Sequence, residues 1–181
     1  MAKAVNRRSK HLVFELIMCG AVVLLFQFRV LATQSVTLAW TPSTDTNVVA
    51  YRIYFGTASG NYDSQVMVDN TNEVTISGLE DGVTYYFAAT SIDSAGDESA
   101  FSNEAVYTVP PAAATLTALA GPAGQFSFGV SGTSGYPYVV QSSTNLMDWV
   151  SVQTNTPPFT FTDTNAAGMP QCFYRTFYLS P

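Results

Sequence analysis

Beyond residue 32 the chain has no lysine and no histidine, and it has one cysteine, Cys172. Each absence removes a class of chemistry. Serines are plentiful, but without His or Lys there is no base to activate one as a nucleophile. Zinc sites built from His or paired Cys are excluded by count. One thiol cannot form an internal disulfide. Cys172, inside the apolar run "QCFYRTFY", reads as a buried structural thiol, because no neighbouring cluster of cations is there to activate it. Cations of any kind are scarce: Arg52 and Arg175 face twelve acids, a net charge of −10 for residues 33–181. A surface of that sign repels nucleic acid and anionic lipid.

The missing cations are concentrated at the start. Lys3, Arg7, Arg8 and Lys10 precede an unbroken apolar run, Leu16 to Phe26, and small residues follow at "VLA" up to Ala32. This is the three-part pattern of a secretory leader, with residues 1–32 removed on export. The competing reading is a retained membrane anchor. The run is shorter than the roughly 20 apolar residues that a bilayer requires, and Glu15, Gln27 and Arg29 bracket it. Met18 precedes Cys19 where lipid attachment wants a small residue.

Helical periodicity is nearly absent from the remaining 149 residues. Short alternating runs recur instead between Gly, Pro, Asn, Asp and Ser clusters, the pattern of an all-β chain. Strand side chains alternate between faces, so each run nominates one inward row. These rows are Val36, Leu38 and Trp40; Tyr51, Ile53 and Phe55; Val74 and Ile76; Tyr85, Phe87, Ala89 and Ser91; Ala105, Tyr107 and Val109. Pro110-Pro111 opens a Pro/Ala linker, 110–115, between a first domain, 33–109, and a smaller β unit, 116–181. That unit is near the size at which a core is marginal. Phe126, Phe128, Trp149, Phe159, Phe161, Phe173 and Phe177 are expected to fill it.

Residues 34–109 resemble a fibronectin type III domain of the secreted bacterial type. The resemblance rests on Trp40 ending "SVTLAW", on the strand "AYRIYFG", on "LEDGVTY" (Leu79 to Tyr85), and on the following "FAATSIDSAGDESAFSNE". It implies an immunoglobulin-like β-sandwich in which Trp40 lies between the sheets and Leu79 closes the core. It also implies that Gly82 permits a turn and that the Tyr85 hydroxyl bonds back to upstream backbone as a tyrosine corner. Ala89 and Ser91 are small for inward positions, and the first strand is short or lost. The second unit resembles a short C-terminal β module of secreted bacterial proteins through "YVVQSSTNLMDW", "FTD" and "FYR". That likeness implies fold and secretion only.

Candidate sites are few. Asp93, Asp97 and Glu98 could supply oxygens to calcium, but they lack EF-hand spacing and also read as a solvated turn in which Gly96 takes a positive φ. Asp45, Glu80 and Asp81 lie in turns, where paired carboxylate catalysis has no cleft. Of the aromatics Tyr51, Tyr54, Tyr62, Phe101, Tyr136, Tyr138 and Trp149, most belong to the core. Tyr54 and Tyr86 alternate away from the inward rows and, with Trp149, are the candidate binding residues. Arg175 shares the parity of Phe173 and Phe177, so it is read as an inward structural arginine seeking Asp163. No cofactor, metal or catalytic residue is implied. The expectation is a secreted or cell-surface tandem of two β-sandwich domains, non-enzymatic, acting as a binding, adhesion or spacer module toward an extracellular protein or polysaccharide. The alternative is a carbohydrate-binding accessory component of a secreted glycan-degrading system.

Overall fold

The computed structural model describes residues 2–4, 17–18, 34–120 and 124–179. The expected leader, 1–32, lies outside the described residues except for two short strands, β1 (Ala2–Ala4) and β2 (Ile17–Met18). Everything else described is β-structure and turns, apart from one 3-10 turn at Ala166–Gly168. No helix among the described residues is long and apolar enough to cross a membrane. The chain divides into two compact units, with the main boundary between Pro110 and Pro111.

The first unit is a sandwich of two antiparallel sheets. One sheet has the order β1-β3-β6, with β3 at Gln34–Trp40 and β6 at Glu73–Leu79. The other has the order β5-β4-β7-β8, with β4 at Val48–Gly56, β5 at Ser64–Asp69, β7 at Thr84–Asp93 and β8 at Ala105–Thr108. Val36, Leu38, Trp40, Ile76 and Leu79 from the first sheet meet Tyr51, Ile53, Phe87 and Val109 in one buried cluster. Phe55, Val74, Tyr85, Ala89, Ala105 and Tyr107 pack against it. The period-two rows therefore face one another across the sandwich, as removal of apolar surface from water demands. Leu79 is buried in this cluster, and three residues on Gly82 adopts φ +77, a conformation open to glycine at little cost. The Gly82 amide donates to the Val109 carbonyl at 3.0 Å. The Tyr85 hydroxyl accepts from the Glu80 amide at 3.2 Å.

The second unit repeats the plan. Strands β9 (Thr115–Leu119), β10 (Phe126–Ser131) and β13 (Phe159–Asp163) form a sheet of order β13-β10-β9. Strands β11 (Tyr138–Ser143), β12 (Val150–Asn155) and β14 (Phe173–Tyr178) form the other, of order β12-β11-β14-β2. Leu116, Phe128, Val130 and Phe161 pack against Tyr138, Val140, Cys172 and Tyr174. The expected core is corrected at two positions. Phe177 is 41% exposed, and Trp149 lies outside the buried cluster. In "FYRTFY" both parities are aromatic: Phe173 is buried as expected, but the row that enters the core cluster is that of Tyr174, which is fully buried. Its hydroxyl donates to Asp163 Oδ2 at 2.5 Å, giving the buried polar tip a charged acceptor.

Residues expected as linker are bonded into this unit from Ala112 onward. The Ala112 amide donates to Thr133 Oγ1 at 2.9 Å, and the Tyr138 hydroxyl donates to the Ala112 carbonyl at 2.6 Å while accepting from the Thr133 amide at 3.0 Å. The Tyr138 ring fits because residue 132 has no side chain: a Cβ there would lie 2.6 Å from Tyr138 Cζ. Tyr138→Phe is expected to lower the stability of the second unit by about 1–3 kcal/mol, since it strips two partly buried backbone groups of a shared partner. Urea denaturation followed by fluorescence measures this, and an unchanged midpoint would remove Tyr138 from the account.

Candidate functional site

Alternation along β4 buries Tyr51 and Ile53 and turns Arg52 and Tyr54 onto the outer face of the four-stranded sheet. On the neighbouring strand β7, Ala88, Thr90 and Ile92 occupy that same outer face, yet all three are buried. What covers them is the segment after β7. Residues 98–102 run back beside the strand, joined by the Ser99 amide to the Ser91 carbonyl at 3.0 Å and the Ser102 amide to the Ala89 carbonyl at 2.8 Å. Serine hydroxyls complete the ladder: Ser102 Oγ accepts from the Ala89 amide and Ser99 Oγ from the Ser91 amide, each at 3.0 Å.

Glu98 fixes this segment to the sheet, and Glu104 fixes the chain just beyond it to the turn between β4 and β5. Glu98 accepts from Arg52 Nη1 at 2.6 Å, from the Tyr54 hydroxyl at 2.7 Å and from Thr90 Oγ1 at 2.5 Å. Glu104 accepts from the Gly60 amide, Ser59 Oγ and the Tyr62 hydroxyl, each at 2.8 Å. Between them lies an aromatic cluster. The Phe101 ring stands edge-on to Tyr54 at 5.0 Å and to Tyr62 at 5.6 Å, and Tyr54 is 6.4 Å from Tyr62. Phe101 remains 56% exposed. Such edge-to-face contacts add to the apolar burial that holds the rings. Burial, reinforced by Glu104, pushes the Tyr62 hydroxyl up to about 12. The hydroxyls of Thr90 and Tyr54, then the Arg52 charge, hold the Glu98 carboxyl below its ordinary value. The Gly60 amide and the hydroxyls of Tyr62 and Ser59 do the same for Glu104.

The candidates from sequence fall in three places. Tyr54 is inside this cluster. Tyr86 lies on the same face, opposite Gly56 and Val106 in register, outside the cluster. Trp149 belongs to the second unit, where its indole N–H donates to the Leu146 carbonyl at 3.1 Å and its ring lies 4.1 Å from the Arg175 guanidinium carbon. Arg175 Nε donates to Gln141 Oε1 at 2.8 Å. The expected partner Asp163 instead accepts the Tyr174 hydroxyl, so the inward Arg175–Asp163 clamp is corrected to an arginine packed over tryptophan. The three acids weighed for calcium separate. Asp93 Oδ1 caps the turn by accepting the Ala95 and Asp97 amides at 2.9 Å, and Glu98 turns to the sheet face. Gly96 takes φ +90. No group of three His, Cys, Asp or Glu among the described residues is placed to hold a metal ion. Trp40 is buried against Tyr51 with ring centroids 5.3 Å apart. The pairing of Arg52 with Glu98, and the anchoring of Glu104, had no mark in the sequence beyond the outward parity of Arg52 and Tyr54.

Glu98 and Glu104 both have lowered folded-state pKa values, so their contribution is complete above the unfolded carboxylate value of about 4.3 and disappears as pH falls through the lower folded values. Carboxyl-carbon NMR titration should place both below free glutamate. Glu98→Gln should reduce the acid-side loss of stability between neutral pH and the unfolding pH. Titration of both carboxyls at the ordinary value would contradict the anchoring.

Residues 22–108 match the family model of the fibronectin type III domain, a span that begins inside the stretch read as a leader. No curated protein matches the chain in sequence. Among solved structures, the chicken CNTN1 FN1–FN3 domains align at 14% identity with a TM-score of 0.33, covering 72% of this chain and 52% of that one. The central fibronectin-III array of RIM-binding protein aligns at 16% identity with a TM-score of 0.32, covering 81% of this chain and 58% of that one. The chain therefore spans little more than half the length of either. The family match covers most of the two-sheet first unit, and that unit is identified as a fibronectin type III domain.

Proposed function

We propose that this chain is an exported, non-enzymatic binding module that presents the outer face of its β5-β4-β7-β8 sheet to an extracellular macromolecule, in the first instance a protein. Domains of this family are in general binding or spacer modules without catalytic activity. The observation that carries the reading is the ring of Phe101, exposed yet fixed. It rests on Tyr54 and Tyr62, and the segment bearing it is tied to the sheet at Glu98 and to the turn between β4 and β5 at Glu104. A preorganised aromatic side chain loses little conformational entropy on binding, which is why such residues dominate interface energetics. Met67 at 61% and Val106 at 54% exposure extend the apolar part of the face. Export is supported by the basic start and apolar run of residues 1–32.

A polysaccharide is the second reading, favoured by the same exposed ring, since sugar faces stack on aromatic ones. In that case the module would serve a secreted glycan-degrading system. The experiment is photo-crosslinking from position 101 of the secreted chain in its native medium, with a glycan array alongside. One specific macromolecule should be captured at position 101, and Phe101→Ala should weaken its binding by roughly tenfold or more. Val150→Ser, in the second unit, should leave binding unchanged. Equal binding by both variants would move the binding surface elsewhere, and a signal confined to the glycan array would favour the second reading.

A further inference from the structure

Resting on that reading, we propose that the occupant of this face is cationic: an arginine or lysine side chain of a basic protein segment docks beside Glu104, against the rings of Phe101 and Tyr62. The face already holds one such group. Arg52 Nη1 sits between Glu98 Oε2 at 2.6 Å and the Tyr54 hydroxyl at 3.3 Å, a carboxylate and a phenol closing on a guanidinium. The Glu104 half repeats the acceptor arrangement without the cation. Glu104 is bound to the Tyr62 phenol, as Glu98 is to Tyr54, but its other donors are the neutral Ser59 hydroxyl and Gly60 amide. Nothing cationic offsets its charge among the described residues, where Arg52–Glu98 is the ion pair found.

The aromatic wall makes this more than a bare acid. Phe101 touches Tyr62 edge-on at 5.6 Å, and the Tyr62 hydroxyl donates to Glu104, so the two rings and the carboxylate form one contiguous group. A cation over an aromatic face is attracted by the ring quadrupole, and a planar guanidinium can stack on the ring while bonding the carboxylate. The second unit shows the same chemistry within this chain, with Arg175 over Trp149 at 4.1 Å. Long-range charge favours the same occupant. Residues 34–110 carry ten acids and one arginine, and that arginine is paired with Glu98. Such a surface attracts basic chains and repels acidic ones before contact.

The test uses the full chain, labelled for NMR, and two synthetic peptides: one of alternating arginine and serine, and its counterpart with every arginine replaced by citrulline, which keeps the shape and removes the charge. The arginine peptide should shift the amides of Gly60, Tyr62, Phe101 and Glu104, and the citrulline peptide should not. Phe101→Ala, which leaves net charge untouched, should weaken the arginine peptide roughly three- to tenfold. Glu104→Gln should weaken it by at least as much, while Glu73→Gln, an equal charge change on the opposite sheet, should have little effect. Equal losses from Glu104→Gln and Glu73→Gln with no loss from Phe101→Ala would reduce the effect to net charge and overturn the proposal. If the macromolecule captured at position 101 proves neutral or acidic, or the two peptides bind alike at the face, the cationic occupant is wrong and the binding face stands. If neither peptide nor native partner touches these residues, both fall.

Discussion

Along Val48–Gly56 the chain cannot bury Tyr51 and Ile53 without turning Arg52 and Tyr54 outward, because successive strand side chains point to opposite faces. The core rows fix the register of this strand against β5 and β7. Once that register is set, Thr90 stands beside Arg52 and Ala88 beside Tyr54. Small side chains at 88 and 90 leave room over the face for the side chains of Glu98 and Phe101, carried by the segment beside β7, and Arg52, Tyr54 and Thr90 together present three donors to Glu98. The outer face is thus a consequence of what the inner face requires.

Both units use tyrosine in a second way, as a ring in or beside the core with a hydroxyl returned to the backbone of a nearby turn. Tyr85 accepts from Glu80, Tyr51 accepts from the Ser43 amide at 2.8 Å, and Tyr138 bridges Ala112 and Thr133. In each case an apolar body supplies the burial and a polar tip satisfies a backbone group that has no ladder partner. These bonds tie turns and strand entries to the sheets.

The first unit was readable from sequence because its alternation is clean: at Val36, Leu38 and Trp40, or at Tyr51, Ile53 and Phe55, the apolar residues occupy one parity and polar or small residues much of the other. In the last strand, "FYRTFY" offers an aromatic on either parity, so periodicity alone cannot choose a face. Packing chose Tyr174, whose ring meets Phe126, Phe128 and Phe161 and whose hydroxyl finds Asp163. Arg175 was carried outward with that choice and settled on Trp149. The acids of "DSAGDES" illustrate the complementary difficulty. Adjacent in sequence, they look like one cluster, but the turn at Gly96 sends Asp93 to its own backbone and Glu98 to a strand 44 residues away in sequence, at Tyr54. The sequence separations of 42 to 46 residues that join Glu98 and Glu104 to Arg52, Tyr54, Ser59, Gly60 and Tyr62 leave no local pattern to read.

Charge is distributed unequally between the units in a way that bears on which of them faces a partner. Residues 34–110 hold ten of the twelve acids after residue 32, whereas residues 111–181 hold Asp148 and Asp163 with Arg175. In the second unit Asp148 bonds to Asn145 and Asp163 to Tyr174, and two acids against one arginine leave a net charge of −1 for residues 111–181. Among its exposed side chains are the apolar Leu146, Met147, Val150 and Val152. The proposed encounter, steered by field and falling with ionic strength, is therefore assigned to the first unit. There an uncompensated carboxylate and a fixed ring lie together, which converts long-range attraction into a localised contact. A face that was merely acidic would bind any basic surface in any orientation. The rigid Phe101 beside Glu104 supplies the short-range term that can select one orientation over the rest.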